Sequence, residues 1–102
     1  MVEKNSIIQA VYEAVDELNS HFSEEKRLDK SPDTILYGNS GRLDSLGLVD
    51  LILAVEQKMQ ERFGEQLTLA NEKALSMKKS PFRTIDTLAR YIHQLIEKKK
   101  NG

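Results

Sequence analysis

The sequence contains no cysteine and only two histidines, His21 and His93. Without thiolates, the chain cannot form disulfides, thiolate zinc sites, iron–sulfur clusters or a cysteine nucleophile. Neither histidine has a neighbouring carboxylate or a metal-ligand spacing in the sequence, so we expect both to be ordinary helix-surface or helix-end residues. These absences exclude thiol chemistry and disfavour a metal site.

Long apolar runs and an excess of either charge are also missing. The longest apolar stretch, residues 48–55, is interrupted by Asp50 and is far shorter than the ~20 residues of a membrane span. The N-terminus lacks the apolar segment of a secretory signal. From these two absences we expect a cytoplasmic chain. Because 15 Lys and Arg nearly balance 16 Asp and Glu, for a net charge of -1, we expect that it binds no nucleic acid.

The length, composition and apolar periodicity of the sequence are those of one helical domain. Its 102 residues, 39% of them hydrophobic, suffice for a single core that spans residues 1–102. Three segments repeat apolar residues with the helical period, and no segment of useful length alternates as a strand does. The sequence predicts an all-α fold with three major helices and a short third helix within residues 67–75.

The first helix is predicted from about residue 6 to residue 21, with Ser6 and Gln9 as a capping box. A long loop follows over residues 23–44, because helical periodicity stops and turn-forming residues appear. A loop of this length needs anchors in a compact domain. Three apolar side chains are expected to tether it to the core: Ile35, Leu36 and Tyr37.

The other two major helices have clear start and stop signals. The second begins at Asp44 or Ser45, either of which can accept hydrogen bonds from free N–H groups, and it ends at Gly64. Thr84 caps the last helix. The lysine-rich residues that follow are expected to form a flexible tail at about 98–102.

The second helix has more apolar residues than one core requires. Six fall within one broad arc at 100° per residue: Leu48, Leu51, Ile52, Val55, Met59 and Phe63. Leu46, Val49 and Leu53 cluster on a different face, which they share with Asp50. This face is buried under the long loop or the short helix, or it is exposed for docking to a basic, partly apolar partner. Both can also hold at once, with Val49 mostly inward and Leu46 and Leu53 mostly outward.

Ser45 lies where a glycine-containing loop enters the second helix. Free N–H groups and the helix dipole favour a phosphate at such a position, although a serine there is commonly only a cap. The motif Asp44-Ser45-Leu46, followed by Val49-Asp50-Leu51 and by Thr84-Ile85-Asp86-Thr87-Leu88, resembles the core signature of acyl carrier proteins. The resemblance covers about residues 43–96 and implies the four-helix bundle of that family.

The resemblance implies that Ser45 carries 4′-phosphopantetheine and that Asp44 is the acid presented to a phosphopantetheinyl transferase. The implied partner-docking positions are Leu46, Val49, Asp50 and Leu53. Ile52 and the residues around Ala74 and Leu75 would border a groove for the acyl chain. The chain would be a monomer that is not an enzyme; it would deliver acyl thioesters to acyl-loading, acyl-transferring and condensing enzymes of a lipid, polyketide or other specialised pathway.

Some positions depart from the family pattern. Gly47 and Gln57 stand where acids are common, and the net charge is nearly neutral, which favours a specialised carrier over the carrier of general fatty acid synthesis. The region after residue 69 is longer and more basic than usual. Its cations either form a solvated loop or contact an acidic partner or the cofactor phosphate: Lys73, Lys78, Lys79 and Arg83.

Three alternatives remain at this stage. The first is a peptidyl or aminoacyl carrier, although the acid before Ser45 favours acyl cargo. The second is a helical interaction module that docks through the second helix without ever receiving the arm. A serine hydrolase is the weakest alternative, because no histidine is placed to activate Ser45 and Gly-x-Ser-x-Gly is absent.

Overall fold

A computed structural model describes residues 3–37, 43–69 and 81–101. It contains the helices α1 (Lys4–Asn19), α2 (Ser45–Phe63) and α3 (Ile85–Asn101), with a single 3₁₀ turn at Glu24–Lys26. Within these ranges there is no strand, and α1 packs against both α2 and α3. The described chain is mainly helical, as the apolar periodicity predicts, and none of its helices is long and apolar enough to cross a membrane.

The apolar faces of the three helices meet in one core. Five of the six predicted α2 residues are buried, and the sixth, Phe63, is half-buried at the edge. The largest side chains that are fully enclosed come from all three helices and from the segments between them: Ile7, Leu36, Leu51, Ile52, Met59, Leu69, Phe82, Ile85, Leu88, Ile92 and Ile96. Burial of these groups is the main stabilising contribution to the fold.

The first helix begins and ends earlier than predicted. Its N-cap is Glu3, whose carbonyl accepts the N–H of the buried Ile7 at 3.1 Å, so Ser6 lies inside the helix and the predicted capping box is wrong. The helix ends at Asn19, and the side chain of Asn19 is hydrogen-bonded to the following loop. Its amide donates to the carbonyl of Leu28 at 2.9 Å and accepts the N–H of Leu28 at 2.8 Å.

Ion pairs connect α1 to both of its neighbours. On the α2 side, Glu13 pairs with Arg62, and Glu17 pairs with Lys58 at 2.7 Å. The hydrogen bond that the Lys58 ammonium donates to Glu17 is the main cause that raises the pKa of Lys58, against a smaller opposing effect of desolvation. On the α3 side, Lys4 donates to Asp86 at 2.7 Å. These pairs lie at the surface or are partly exposed, and they add orientation more than stability.

The long loop is attached to the start of α3 by backbone pairing. Ile35 forms an isolated antiparallel bridge with Thr84, and the N–H of Leu36 donates to the carbonyl of Arg83 at 2.7 Å. Side chains alternate along such an extended segment, so Leu36 is fully buried while Tyr37 is 39% exposed. The expected anchoring by Leu36 is confirmed, and the expected anchoring by Tyr37 is wrong.

The second helix ends as predicted, at Gly64 in the left-handed conformation with φ 67°. Beyond it, residues 64–69 are not helical, and the N–H of the buried Leu69 donates to Glu56 at 2.6 Å. The part of the predicted short helix that includes residues 70–75 lies outside the described residues.

The last helix is capped as predicted, because the Thr84 hydroxyl accepts the N–H of Thr87 at 3.1 Å. The helix continues through the lysines to Asn101. The segment expected as a tail is therefore helical over residues 98–101.

Candidate functional site

The start of α2 is set by Asp44. This residue is extended, with φ -81° and ψ -177°, and its carboxylate accepts the N–H of Gly47 at 2.7 Å while its carbonyl accepts the N–H of Leu48 at 2.9 Å. The helix consequently begins at Ser45, as predicted. The side chain of Ser45 lies outside the described residues, whereas its two neighbours, Asp44 and Leu46, are exposed.

Leu43 fixes the chain immediately before this helix start. Its side chain is buried, and its N–H donates to the carbonyl of Leu36 at 3.2 Å. Gly47 is packed closely against this corner: a Cβ there would lie 3.2 Å from both Leu43 Cδ2 and Asp44 Oδ1. The tight corner gives a physical reason for glycine where related motifs often have an acid.

The surplus apolar face of α2 is exposed. Leu46 is 76% exposed, Leu53 54% and Val49 37%, and Asp50 between them is exposed as well. The expectation that Leu46 and Leu53 are buried under the loop or the short helix is therefore wrong, and Val49 is the least exposed of the three. The exposed alternative remains, and it places three large apolar side chains and a carboxylate on one outer surface.

An open groove of about 480 Å³ lies beside the same helix start. The first turn and a half of α2, with the two residues before it, forms one wall, and residues from the segment after α1 and from the 3₁₀ turn form the other. Its lining combines apolar and charged side chains: Phe22, Glu25, Lys26, Leu43, Asp44, Leu46, Gly47 and Asp50. This groove was not predicted. Nothing in the local pattern of Phe22 or Lys26 indicates that they lie across a groove from residues some twenty positions further along the chain.

The other candidate residues do not join this site. Ile52 is fully buried in the core, so it faces the interior of the domain. Arg83 is exposed, and its carbonyl accepts the N–H of Leu36. The remaining residues considered for the acyl groove and the basic segment lie outside the described residues: Lys73, Ala74, Leu75, Lys78 and Lys79.

The histidines show one difference from expectation. His93 Nε2 lies 3.7 Å from Glu97 Oε1, one helical turn away, so the expectation that it has no carboxylate neighbour is wrong. His21 is exposed in the turn after α1. Across residues 3–37, 43–69 and 81–101, no three His, Asp or Glu side chains converge as metal ligands would.

The site therefore joins a helix start to an exposed contact surface. The first turn of a 19-residue helix presents the positive end of its dipole, and the leucines beyond it offer apolar area. Comparisons of the chain with protein-family models, curated proteins and solved structures find no match.

Proposed function

We propose that this chain is an acyl carrier protein whose Ser45 bears 4′-phosphopantetheine. In this proposal the domain is a monomeric four-helix bundle in the cytoplasm, with its short helix in the segment after residue 69. The chain itself catalyses no reaction. It holds acyl groups as thioesters and presents them to the enzymes that load, transfer or condense them in a lipid, polyketide or other specialised pathway.

The observation that carries this proposal is the start of α2 at Ser45, directly behind an exposed capping carboxylate. A phosphodiester on Ser45 would lie near the positive end of the helix dipole, where an anion is stabilised by ~0.3–1 kcal/mol at an exposed position. The side chain of Leu43 is buried in the core and anchors the backbone just before the helix start. The exposed Asp44 and Leu46 on either side leave room for a pendant group, so the residues fit the cofactor.

The modification itself belongs to a partner enzyme. A phosphopantetheinyl transferase moves 4′-phosphopantetheine from coenzyme A to the Ser45 oxygen, which loses its proton as the new P–O bond forms, and 3′,5′-adenosine bisphosphate leaves. The bound group then supplies a thiol for thioester formation, which fits a chain without cysteine. A tether raises the effective concentration of the cargo for each enzyme that docks.

The exposed face of α2 supports a docking role. Leu46, Val49 and Leu53 give an apolar contact surface, and Asp44 and Asp50 give it negative charge. A partner with basic and apolar residues matches this surface. Such an interface is small and allows fast release, which a carrier needs because it must move from one enzyme to the next.

Intact-protein mass spectrometry tests the proposal. The purified chain is incubated with coenzyme A and a broad-specificity phosphopantetheinyl transferase, and we expect a mass gain of one phosphopantetheine group. Ser45→Ala should show none, whereas Ser40→Ala, at a serine five residues earlier in the sequence, should still gain it. The absence of any gain in the unmodified sequence, with a transferase that is active on a known carrier, contradicts the proposal.

A second candidate function is favoured by the exposure of the α2 leucines alone. A helical interaction module would use Leu46 and Leu53 to bind a partner without any attached group. In that case Leu53→Glu abolishes partner capture while Ser45→Ala leaves cellular function intact. An acyl carrier predicts the reverse for Ser45→Ala, and loading assays with acyl and aminoacyl donors separate it from a peptidyl or aminoacyl carrier.

A further inference from the structure

The groove beside the start of α2 lies next to the proposed attachment point, on the side facing the segment after α1. Residues before and after Ser45, namely Leu43, Asp44, Leu46 and Gly47, line one wall. The other wall comes from Phe22, Glu25 and Lys26, more than fifteen residues earlier in the chain. Ser45 therefore belongs to the stretch of chain that borders this groove.

The chemistry of the groove fits a neutral chain that has both apolar and hydrogen-bonding parts. Phe22, Leu43 and Leu46 supply apolar surface, and Leu46 is 76% exposed, so most of its area is open to contact. Asp44 and Asp50 supply carboxylate oxygens that accept hydrogen bonds from amide N–H groups. The pantetheine part of the arm has amide N–H donors, a hydroxyl group and geminal methyl groups.

The size and openness of the groove also favour a tethered occupant. Its volume of about 480 Å³ lies in the range of ~300–1,000 Å³ that is typical of small-molecule sites. A groove that is open to solvent holds a free ligand only weakly. A group tethered next to it has an effective concentration on the order of mM, so weak contacts are enough to populate the bound state.

We propose that the pantetheine part of the arm rests in this groove, between the segment that follows α1 and the start of α2, when no enzyme is docked. This inference rests on the proposed function, because the arm must first be attached to Ser45. Leu46 then has a part in both states: it covers the resting arm, and it contacts the partner after the arm leaves. Docking at Leu46 thereby favours release of the arm to the enzyme.

Nuclear magnetic resonance of the full chain tests the resting site. The ¹⁵N-labelled protein is loaded with coenzyme A and a transferase, mass spectrometry confirms the attached arm, and the amide spectra before and after loading are compared. Residues next to Ser45 will shift on attachment alone. The informative amides are those of Phe22 and Lys26 on the opposite wall, which we expect to shift on loading.

The matched variants are Leu46→Asn and Leu53→Asn, because both leucines are exposed on α2 but Leu46 alone of the two lines the groove. In the loaded Leu46→Asn protein, the shifts at Phe22 and Lys26 should be largely lost, and in Leu53→Asn they should persist. Since both side chains are exposed, both variants are expected to fold, and the spectrum of the unloaded protein confirms this directly.

The outcomes separate this inference from the proposed function. No mass gain overturns both. A mass gain without any shift at Phe22 and Lys26 overturns the resting site and leaves the carrier proposal intact. Shifts at these residues that arise when the transferase is added to the unloaded protein, and not on loading, assign the groove to the partner and also overturn the resting site.

Discussion

Asp44 has two separable roles at the scale of single residues. Its carboxylate caps α2 by accepting the N–H of Gly47 at 2.7 Å, and its charge is exposed next to the proposed attachment point. A cap needs an oxygen acceptor but not a negative charge, because asparagine caps helices about as well as aspartate does. A transferase that recognises the acid needs the charge.

Substitution of Asp44 should therefore separate stability from modification. Asp44→Ala should lower the free energy of unfolding by ~0.5–2 kcal/mol, because the Gly47 N–H loses its partner. Asp44→Asn should stay within ~0.5 kcal/mol of the original but be modified more slowly. Urea denaturation and initial rates of phosphopantetheine transfer measure the two effects. Equal destabilisation by both substitutions contradicts the capping role.

Individual residues also show where sequence-based prediction succeeds and where it fails. The caps at Asp44, Gly64 and Thr84 were predictable, because each depends on groups within a few residues along the chain. The first cap was not, since Glu3 is the N-cap without a side-chain hydrogen bond and Ser6 lies inside the helix. An N-cap that makes no side-chain hydrogen bond leaves no mark in the sequence.

At the scale of the element, α2 presents two apolar faces with different purposes. Leu51 and Leu53 are two positions apart, yet Leu51 is fully buried and Leu53 is 54% exposed. Periodicity alone identified both faces, because it depends only on spacing along one helix. It could not decide whether the second face was covered, since that depends on where distant segments of the chain lie.

Alanine at each of these two positions should give very different results. Leu51→Ala removes a core side chain and should lower the free energy of unfolding by ~2–5 kcal/mol. Leu53→Ala should change it by less than ~0.5 kcal/mol, because that side chain already contacts water. Urea denaturation followed by far-ultraviolet circular dichroism measures both. A large loss for Leu53→Ala would show that its face packs inside the folded domain.

At the scale of the whole molecule, the first and last helices are joined by Lys4 and Asp86. The Lys4 ammonium donates to Asp86 at 2.7 Å, and this hydrogen bond is the main cause that lowers the pKa of Asp86 below its ordinary value of 3.8. Partial burial opposes the effect, and Arg90 at 3.0 Å reinforces it. Because the folded state favours the charged carboxylate, the stabilisation is present above pH 3.8 and is lost as the pH falls through the lowered pKa.

Lys4→Met should consequently destabilise the domain in a pH-dependent way. We expect a loss on the order of 0.5 kcal/mol at neutral pH, and this difference should shrink as the pH falls below 3.8. Urea denaturation across the acidic range measures it. Lys30→Met is the control, because Lys30 pairs with Asp16 at a more exposed position and should have a smaller effect. A difference that does not depend on pH contradicts the assignment.

The groove and the loop attachments depend on how segments that are distant in the sequence pack together. Phe22, Lys26 and Leu46 line one groove, and Glu56 accepts the N–H of Leu69. No local pattern encodes either arrangement. The sequence predicted the helices and their inner faces, since the same few residues determine both. It could not predict how the segments between the helices pack, because many arrangements satisfy the same apolar pattern.

The packing of α1 against both α2 and α3 has a consequence for biosynthesis. A nascent chain that ends before residue 85 has α1 and α2 but lacks the residues that cover the remaining side of the core: Ile85, Leu88, Ile92 and Ile96. Such a chain leaves buried-type side chains of α1 in water. The domain therefore reaches its native packing only after nearly all of it has left the ribosome, and early termination yields an aggregation-prone fragment.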